Sequence, residues 1–286
     1  MTRTDITQRK AHQPQLCTEF LQRFCSEVYT HYHAHPRTLP WRETKDPYHI
    51  LVSEIMLQQT RVERAIGKYR EFLAAFPDVS ALAQAPLREV LQVWQGLGYN
   101  RRAIALQETA KKVVLDYNGI LPDTPKQLRT LPGIGSYTAG AIAAFAFQQP
   151  VLFIETNIRA VFIHCFFQDR HDVKDSEIMP LVRATLDTTN PREWYYALMD
   201  YGVMLKRTHS NPSRKSAHHT RQSRFEGSDR QLRGKILKFL LQKPLSRKKE
   251  IFQVLPADPQ RLEMILESLG KEGFIVRKGT KYTIAG

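Results

Sequence analysis

Apolar residues recur at three- and four-residue spacings along most of the first 205 positions, and strict alternation is nearly absent. This pattern predicts helices over 20–33, two within 48–76, one each over 86–97 and 101–117, and a short one over 125–131. Further helices are predicted over 137–147, 157–167, 178–188 and 193–205. A body built of helices is the economical reading, so the fold class expected is mainly α. Beyond about residue 205 the pattern changes. Positions 208–229 are poor in apolar residues and read as a linker. Regular spacing then returns as three short helices over 232–241, 247–255 and 259–271. The stretch from Phe274 to Ala285 reads as a β-hairpin turning at Lys278–Gly279. Three helices followed by a basic hairpin resemble a small winged-helix-like module.

Charge sharpens this picture. The 286-residue chain carries 42 Lys and Arg against 28 Asp and Glu, a formal charge of +14. Fourteen of the basic residues fall within 206–249, where only Glu226 and Asp229 oppose them. Such an excess points to a polyanionic partner, with nucleic acid first among the candidates. Cys17, Cys25 and Cys165 are too widely spaced to suggest a metal site or a disulfide framework. Met1–Gln15 has no apolar core of the secretory type, and no run is long and apolar enough to span a bilayer. A monomeric cytoplasmic protein is therefore expected, nucleoid-associated if bacterial.

The most informative stretch is Leu131-Pro-Gly-Ile-Gly-Ser-Tyr-Thr-Ala-Gly-Ala141. Gly133 and Gly135 allow a tight turn and close backbone approach. The helix that follows opens with unpartnered amides at the positive end of its dipole, which suits a phosphate. The stretch has the form of a helix-hairpin-helix, although a plain helix–helix turn would look alike. Two carboxylates stand out. Glu54 shares a helical face with Ile50, Leu51 and Leu57. An unpaired carboxylate in apolar surroundings is costly and ordinarily takes up a proton, which would suit Glu54 to general-acid work. A buried Glu paired to an Arg or capping a backbone group would read the same. Glu155 precedes a helix start, where an acidic side chain is favoured as a simple cap.

Taken together, Leu39-Pro-Trp-Arg42, Ser53-Glu-Ile-Met-Leu-Gln-Gln-Thr-Arg-Val62, Trp94-Gln-Gly-Leu-Gly-Tyr99, the hairpin, Glu155-Thr-Asn-Ile-Arg159 and Met199-Asp-Tyr-Gly202 resemble the helix-hairpin-helix base-excision DNA glycosylases, and among them the MutY adenine glycosylase branch. The likeness covers a little over half of the chain. It implies a two-lobed fold with the hairpin at the junction and double-stranded DNA as partner, its mispaired or damaged base flipped out. The domains it suggests are an N-terminal helix within 1–45 packing with the second lobe, a six-helix lobe over 46–150 and a second lobe over 151–207. A basic linker over 208–229 and the winged-helix-like module over 230–286 would follow.

The resemblance also implies roles. Glu54 would be the acid that protonates the leaving base, and Glu155 the carboxylate that stabilises positive charge on the sugar. Tyr137 stands where strand-nicking members carry a Schiff-base lysine, which implies a monofunctional enzyme. Gln58, Gln59, Thr60, Arg61 and Tyr99 would wedge into the duplex and meet the opposite base. Pro132, Gly133, Ile134, Gly135, Ser136 and Thr138 would hold the backbone, and Leu57 and Arg42 would line the base pocket. There are three departures. The family aspartate is Glu155 here. No cysteine follows Cys165, so neither an iron–sulfur cluster nor any other cofactor or metal is expected. The domain that reads 8-oxoguanine has no visible counterpart. The expected activity is removal of adenine opposite guanine or 8-oxoguanine. Thymine or uracil opposite guanine is the alternative substrate, and a DNA-binding protein with a decayed site is the alternative class.

Overall fold

The apolar periodicity folds as helices whose ends are set by local chemistry. The computed structural model describes residues 18–220, 222, 224–255 and 257–286. Cys17 and Met1–Gln15 lie outside them. Helix α1 (Thr18–Ala34) is followed by a 3₁₀ turn (Pro40–Arg42), α2 (Pro47–Leu57), α3 (Val62–Ala75), α4 (Val79–Gln84) and α5 (Leu87–Trp94). Next come α6 (Arg101–Tyr117), α7 (Pro125–Leu128), α8 (Ser136–Phe147), α9 (Thr156–Phe166), α10 (Asp175–Thr185) and α11 (Pro191–Thr208). The C-terminal stretch holds α12 (Asp229–Gln242), β1 (Ser246–Arg247), α13 (Lys248–Val254), α14 (Pro259–Lys271), β2 (Ile275–Lys278) and β3 (Lys281–Ile284). No helix among the described residues is long and apolar enough to cross a membrane.

The chain divides into two compact units. One runs up to Arg37 and resumes at Gln148–His219; the other comprises Thr38–Phe147 and Thr220–Gly286. In the first, α11 packs between α1 and α9. Trp194, Tyr195 and Leu198 are fully buried, and Met199 is half-buried. Phe24 meets Trp194 and Phe162 edge-on or tilted, with ring centres 6.2 and 5.5 Å away, and Phe153 stacks on Tyr195. Gly202 makes the α9–α11 approach possible, since a Cβ there would lie 2.5 Å from the Asn157 carbonyl oxygen. Gly202→Ala is therefore expected to cost about 1–3 kcal/mol through overpacking. A lowered thermal midpoint with an unchanged far-UV spectrum would show it, and an unchanged midpoint would contradict it.

The presumed linker departs from expectation in its first half. Its composition is polar, yet Pro212, Ser213 and Ser216 are buried. The 3₁₀ turn Pro212–Lys215 packs on α9, and Ser216 forms a parallel bridge with Val173. Backbone hydrogen bonds to Val173 and side-chain caps such as Asn211 to Ser213 hold it there, contacts that hydropathy does not register.

In the second unit, α2 is the central rod. It packs on α3, α6 and α8, and every residue from Tyr48 to Met56 except His49 is buried. Helix α4 packs on α6. The C-terminal stretch has the order helix, strand, two helices and a β-hairpin, with antiparallel sheet order β1-β3-β2. Ile275 pairs with Ile284 at its inner end. This is a winged-helix arrangement. Arg88 donates to the carbonyls of Leu240 and Leu241, and Arg101 and Arg233 share Glu272 at 2.8 Å. These bonds tie the module to α5 and α6.

Candidate active site

Helix α2 starts where Asp46 accepts hydrogen bonds from the Tyr48 and His49 amides at 2.8 and 3.3 Å, with Pro47 in the first turn. That start sets the register that turns Glu54 inward, only 5 % exposed. Helix α8 begins at Ser136, so Tyr137 lies in its first turn. The Tyr137 hydroxyl donates to Glu54 Oε2 at 3.0 Å. Residues 83 positions apart thus meet as a carboxyl–phenol pair, the carboxyl buried and the phenol half-exposed.

The hairpin is built beside this pair. Gly133 has φ +75°, and a Cβ on it would lie 2.8 Å from that of Ala105. Only glycine fits both the left-handed backbone and the close approach to α6. Thr109 donates to the Pro132 carbonyl at 2.8 Å and fixes the turn to α6. Gly133, Gly135 and Ser136 are exposed, Pro132 is half-buried, and Ile134 and Thr138 are buried and anchor the loop. Gln58 reaches across from the end of α2, donating to Thr138 Oγ1 at 3.2 Å and to the Gly133 carbonyl at 3.4 Å. Leu57 ends α2 half-buried, Arg42 closes its 3₁₀ turn half-buried, and Arg61 is exposed ahead of α3.

Sequence reasoning missed the residue that organises these segments. Arg102 is 9 % exposed and sits beneath the C-terminal end of α2. It donates to the carbonyls of Ile55, Met56 and Gln58 at 2.9, 2.8 and 2.5 Å, to Thr60 Oγ1 at 3.0 Å, and to the carbonyls of Leu97 and Gly98 at 3.4 and 3.0 Å. Its guanidinium lies over the rings of Trp94 and Tyr99. Burial pulls its pKa down to about 10, which still leaves it charged at neutral pH. A cation at the negative end of a helix is favourable, and here it also satisfies carbonyls that the helix leaves unpaired. Gln59 and Tyr99 take left-handed backbone conformations, φ +56° and +46°, on the two loops that Arg102 joins. A signal for it existed. Arg102 heads the buried stripe Leu106, Thr109, Ala110 and Val113 on α6, and a charge at such a position requires acceptors.

Glu155 belongs to the other unit. It caps α9, accepting from the amides of Asn157 and Ile158 at 2.5 and 2.9 Å through Oε1. Oε2 accepts from the Asn157 side-chain amide at 3.3 Å, and Lys206 donates to Asn157 Oδ1 at 2.8 Å. Desolvation pushes the Glu155 carboxyl above the usual range, against the opposing pull of Lys206, the two amides and Arg159. The capping expected of an acid before a helix is thus present.

Comparison with known proteins places this geometry. Residues 52–182, spanning α2 to α10, match the model of the HhH-GPD superfamily of base excision DNA repair proteins. A solved thermostable thymine-DNA glycosylase superposes with a TM-score of 0.58 at 26% identity, covering 65% of this chain and 87% of that one. Two curated relatives are more specific. An adenine DNA glycosylase of Mycolicibacterium smegmatis is 34% identical over 273 residues, 87% of this chain and 92% of that protein. One of Buchnera aphidicola is 36% identical over 179 residues, 61% of this chain and 50% of that protein. The chain belongs to the adenine DNA glycosylase family of helix-hairpin-helix enzymes.

The donor set does not fit the iron–sulfur cluster that the resemblance brings to mind. No cysteine follows Cys165. Burial pushes the Cys25 and Cys165 thiols up to about 11 and about 12, away from the thiolate that metal ligation needs. Beyond α11, the stretch holding the 3₁₀ turn is secured by hydrogen bonds instead. Lys215 donates to the Gln168 carbonyl at 2.5 Å. Arg159 makes two 2.7 Å bonds to Asp175, whose amide donates to His218 at 3.4 Å.

Proposed function

We infer that this chain is a monofunctional DNA glycosylase that acts as a monomer and removes adenine mispaired with guanine or 8-oxoguanine. The contact between Glu54 and Tyr137 carries the reading. It puts a protected carboxyl beside a residue that has no amine, at the head of a helix fit to hold phosphate. A base inside a duplex is out of reach of any side chain, so the nucleotide must be flipped. Glu54, as the acid, then delivers its proton to the departing adenine while the N-glycosidic electrons leave with the base. Positive charge grows on the sugar and is met by the Glu155 carboxylate. Water adds to the anomeric carbon and returns a proton to Glu54, so the net step is hydrolysis. Tyr137 cannot form an imine with the opened sugar, and the strand stays intact until treated with alkali.

Single-turnover base release from A:8-oxoguanine, A:G, T:G and U:G duplexes tests this. Release from the first two, without strand cleavage, is the expected result. Preferential release of thymine or uracil would overturn it, and so would strand scission with trapping by borohydride. The freshly purified protein should also lack the broad visible absorption of an iron–sulfur cluster. Iron and sulfide at stoichiometric level would contradict this.

A further inference from the structure

Helix α11 meets Asn157 with two residues one turn apart. At Gly202 the missing Cβ lets the two backbones touch, and four residues on, the Lys206 ammonium donates to Asn157 Oδ1 at 2.8 Å. An ammonium has three donors and no acceptor, so the carboxamide atom that faces it must be the oxygen. The amide nitrogen is thereby turned the other way, where Nδ2 donates to Glu155 Oε2 at 3.3 Å. The backbone amides of Asn157 and Ile158 both bond Oε1. The Asn157 side chain therefore holds the second oxygen, and with it the plane of the carboxyl group.

The other charges nearby are already committed. Arg159, on the same helix as Asn157, makes two 2.7 Å bonds to Asp175 on α10, and the Asp175 amide faces His218. Lys206 is half-buried; burial pulls its pKa down, and Glu155 pulls it back up against Arg159. Its ammonium bonds Asn157 rather than Glu155 itself. A half-buried ammonium that stops short of the carboxylate does little for stability. What it fixes is the direction in which the Asn157 amide points.

We propose that Lys206 is a positioning residue for Glu155, setting the Asn157 carboxamide so that the Glu155 carboxylate is held in a single orientation. The proposal rests on the glycosylase reading above, which gives Glu155 its work at the sugar. With the amide reversed, Asn157 Oδ1 would face Oε2, acceptor against acceptor, and the carboxyl group would turn away. Its negative charge would then stand in the wrong place for the positive charge that grows on the sugar.

The experiment compares the full chain as wild type, Lys206→Met, Lys206→Arg, Glu155→Gln and the Lys206→Met/Glu155→Gln double variant. Lys206→Gln, which keeps a polar head in the same slot, replaces the methionine variant if that one does not fold. Two quantities are measured. One is single-turnover release of adenine opposite 8-oxoguanine across pH, with the duplex saturated. The other is the Glu155 carboxyl titration by carbon-13 NMR on DNA-free protein, assigned by its loss in Glu155→Gln. Lys206→Met should lower the rate about tenfold on the plateau above the acid limb, less than the ~10²-fold that a misplacement of about 1 Å can cost, because the backbone amides still hold Oε1. Lys206→Arg, which keeps the charge and the donors, should retain most of the rate. In the Glu155→Gln background, Lys206→Met should cost less than about twofold more, since two changes on one path do not add. The carboxyl should titrate at higher pH in Lys206→Met, because Lys206 is one of the groups that pull it down. An unchanged plateau rate in Lys206→Met would overturn the proposal, as would a full further loss in the Glu155→Gln background. Weaker duplex binding with an unchanged rate once bound would overturn it too, and would mark Lys206 as a phosphate contact. Failure of adenine release by wild type would instead refute the substrate reading. The carboxyl titration needs no catalysis, and a titration unmoved in Lys206→Met would still sink the role given to Lys206.

Discussion

Replacing Glu54 with glutamine will lower single-turnover base release by about 10²–10⁴-fold, the range associated with a positioned general acid. The substitution is nearly isosteric, and the amide can still accept from Tyr137, so the packing around α2 should survive. It removes the acidic proton that the proposed step needs, since an amide cannot serve as the general acid. Affinity for the mismatched duplex should change little, because the exposed hairpin residues Gly133, Gly135 and Ser136, proposed to hold the backbone, are untouched. A loss in kcat with binding preserved marks a group that works in the transition state. A variant retaining more than a tenth of the wild-type rate would remove Glu54 from the chemistry. It would then stand as a buried acid serving only to hold Tyr137.

The second large effect concerns Glu155. Glu155→Gln removes the charge while leaving a side chain that can still accept from the two amides, and should slow base release by about 10²–10³-fold. Glu155→Asp separates capping from catalysis. Aspartate is an excellent N-cap, so the thermal midpoint should hold or rise. Its arm is shorter by about 1.5 Å, however, and misplacement of about 1 Å can cost around 10²-fold in rate. A slower but equally stable aspartate variant is the expected outcome. An unchanged rate in both variants would leave Glu155 as a cap alone. The pH profile adds an independent check. The carboxyl sits above its ordinary pKa, and the proposed stabilisation of positive charge needs its anion. Activity should therefore fall with decreasing pH sooner than it would for an ordinary glutamate. Lys206 is one of the groups holding that pKa down, so Lys206→Met should move the acid limb to still higher pH. A limb that stays in place would mean another group controls it.

Much of this fold was legible where apolar periodicity was long and its ends were marked. The limits of α6 and α14 match the pattern to the residue: Asn118 supplies a left-handed cap after one, and Pro259 opens the other. Helix α4 escaped because six residues with one buried side chain, Leu82, make no period. Strand β1 escaped because two residues cannot alternate; its partner in β3 defines it. Polar composition mistook the stretch around Ser213 for a linker, since what holds it is hydrogen bonding. Within the site, Glu54 and Tyr137 could be singled out individually, but their meeting at 3.0 Å is a product of how α2 and α8 pack. Gln222 and Arg230 both donate to the Tyr99 hydroxyl across more than a hundred positions, and no local pattern encodes that contact.

Arg102 has a further consequence for how such a chain can change over generations. One guanidinium serves six acceptors on two segments, the last turn of α2 with the residues that follow it and the loop before α6. Neither segment can drift in length or backbone path without disturbing the other. The two stretches are therefore expected to change only together. A chimera that takes Gln58–Thr60 from one relative and Gly96–Tyr99 from another should assemble poorly, whereas one that moves both with their arginine should keep its shape.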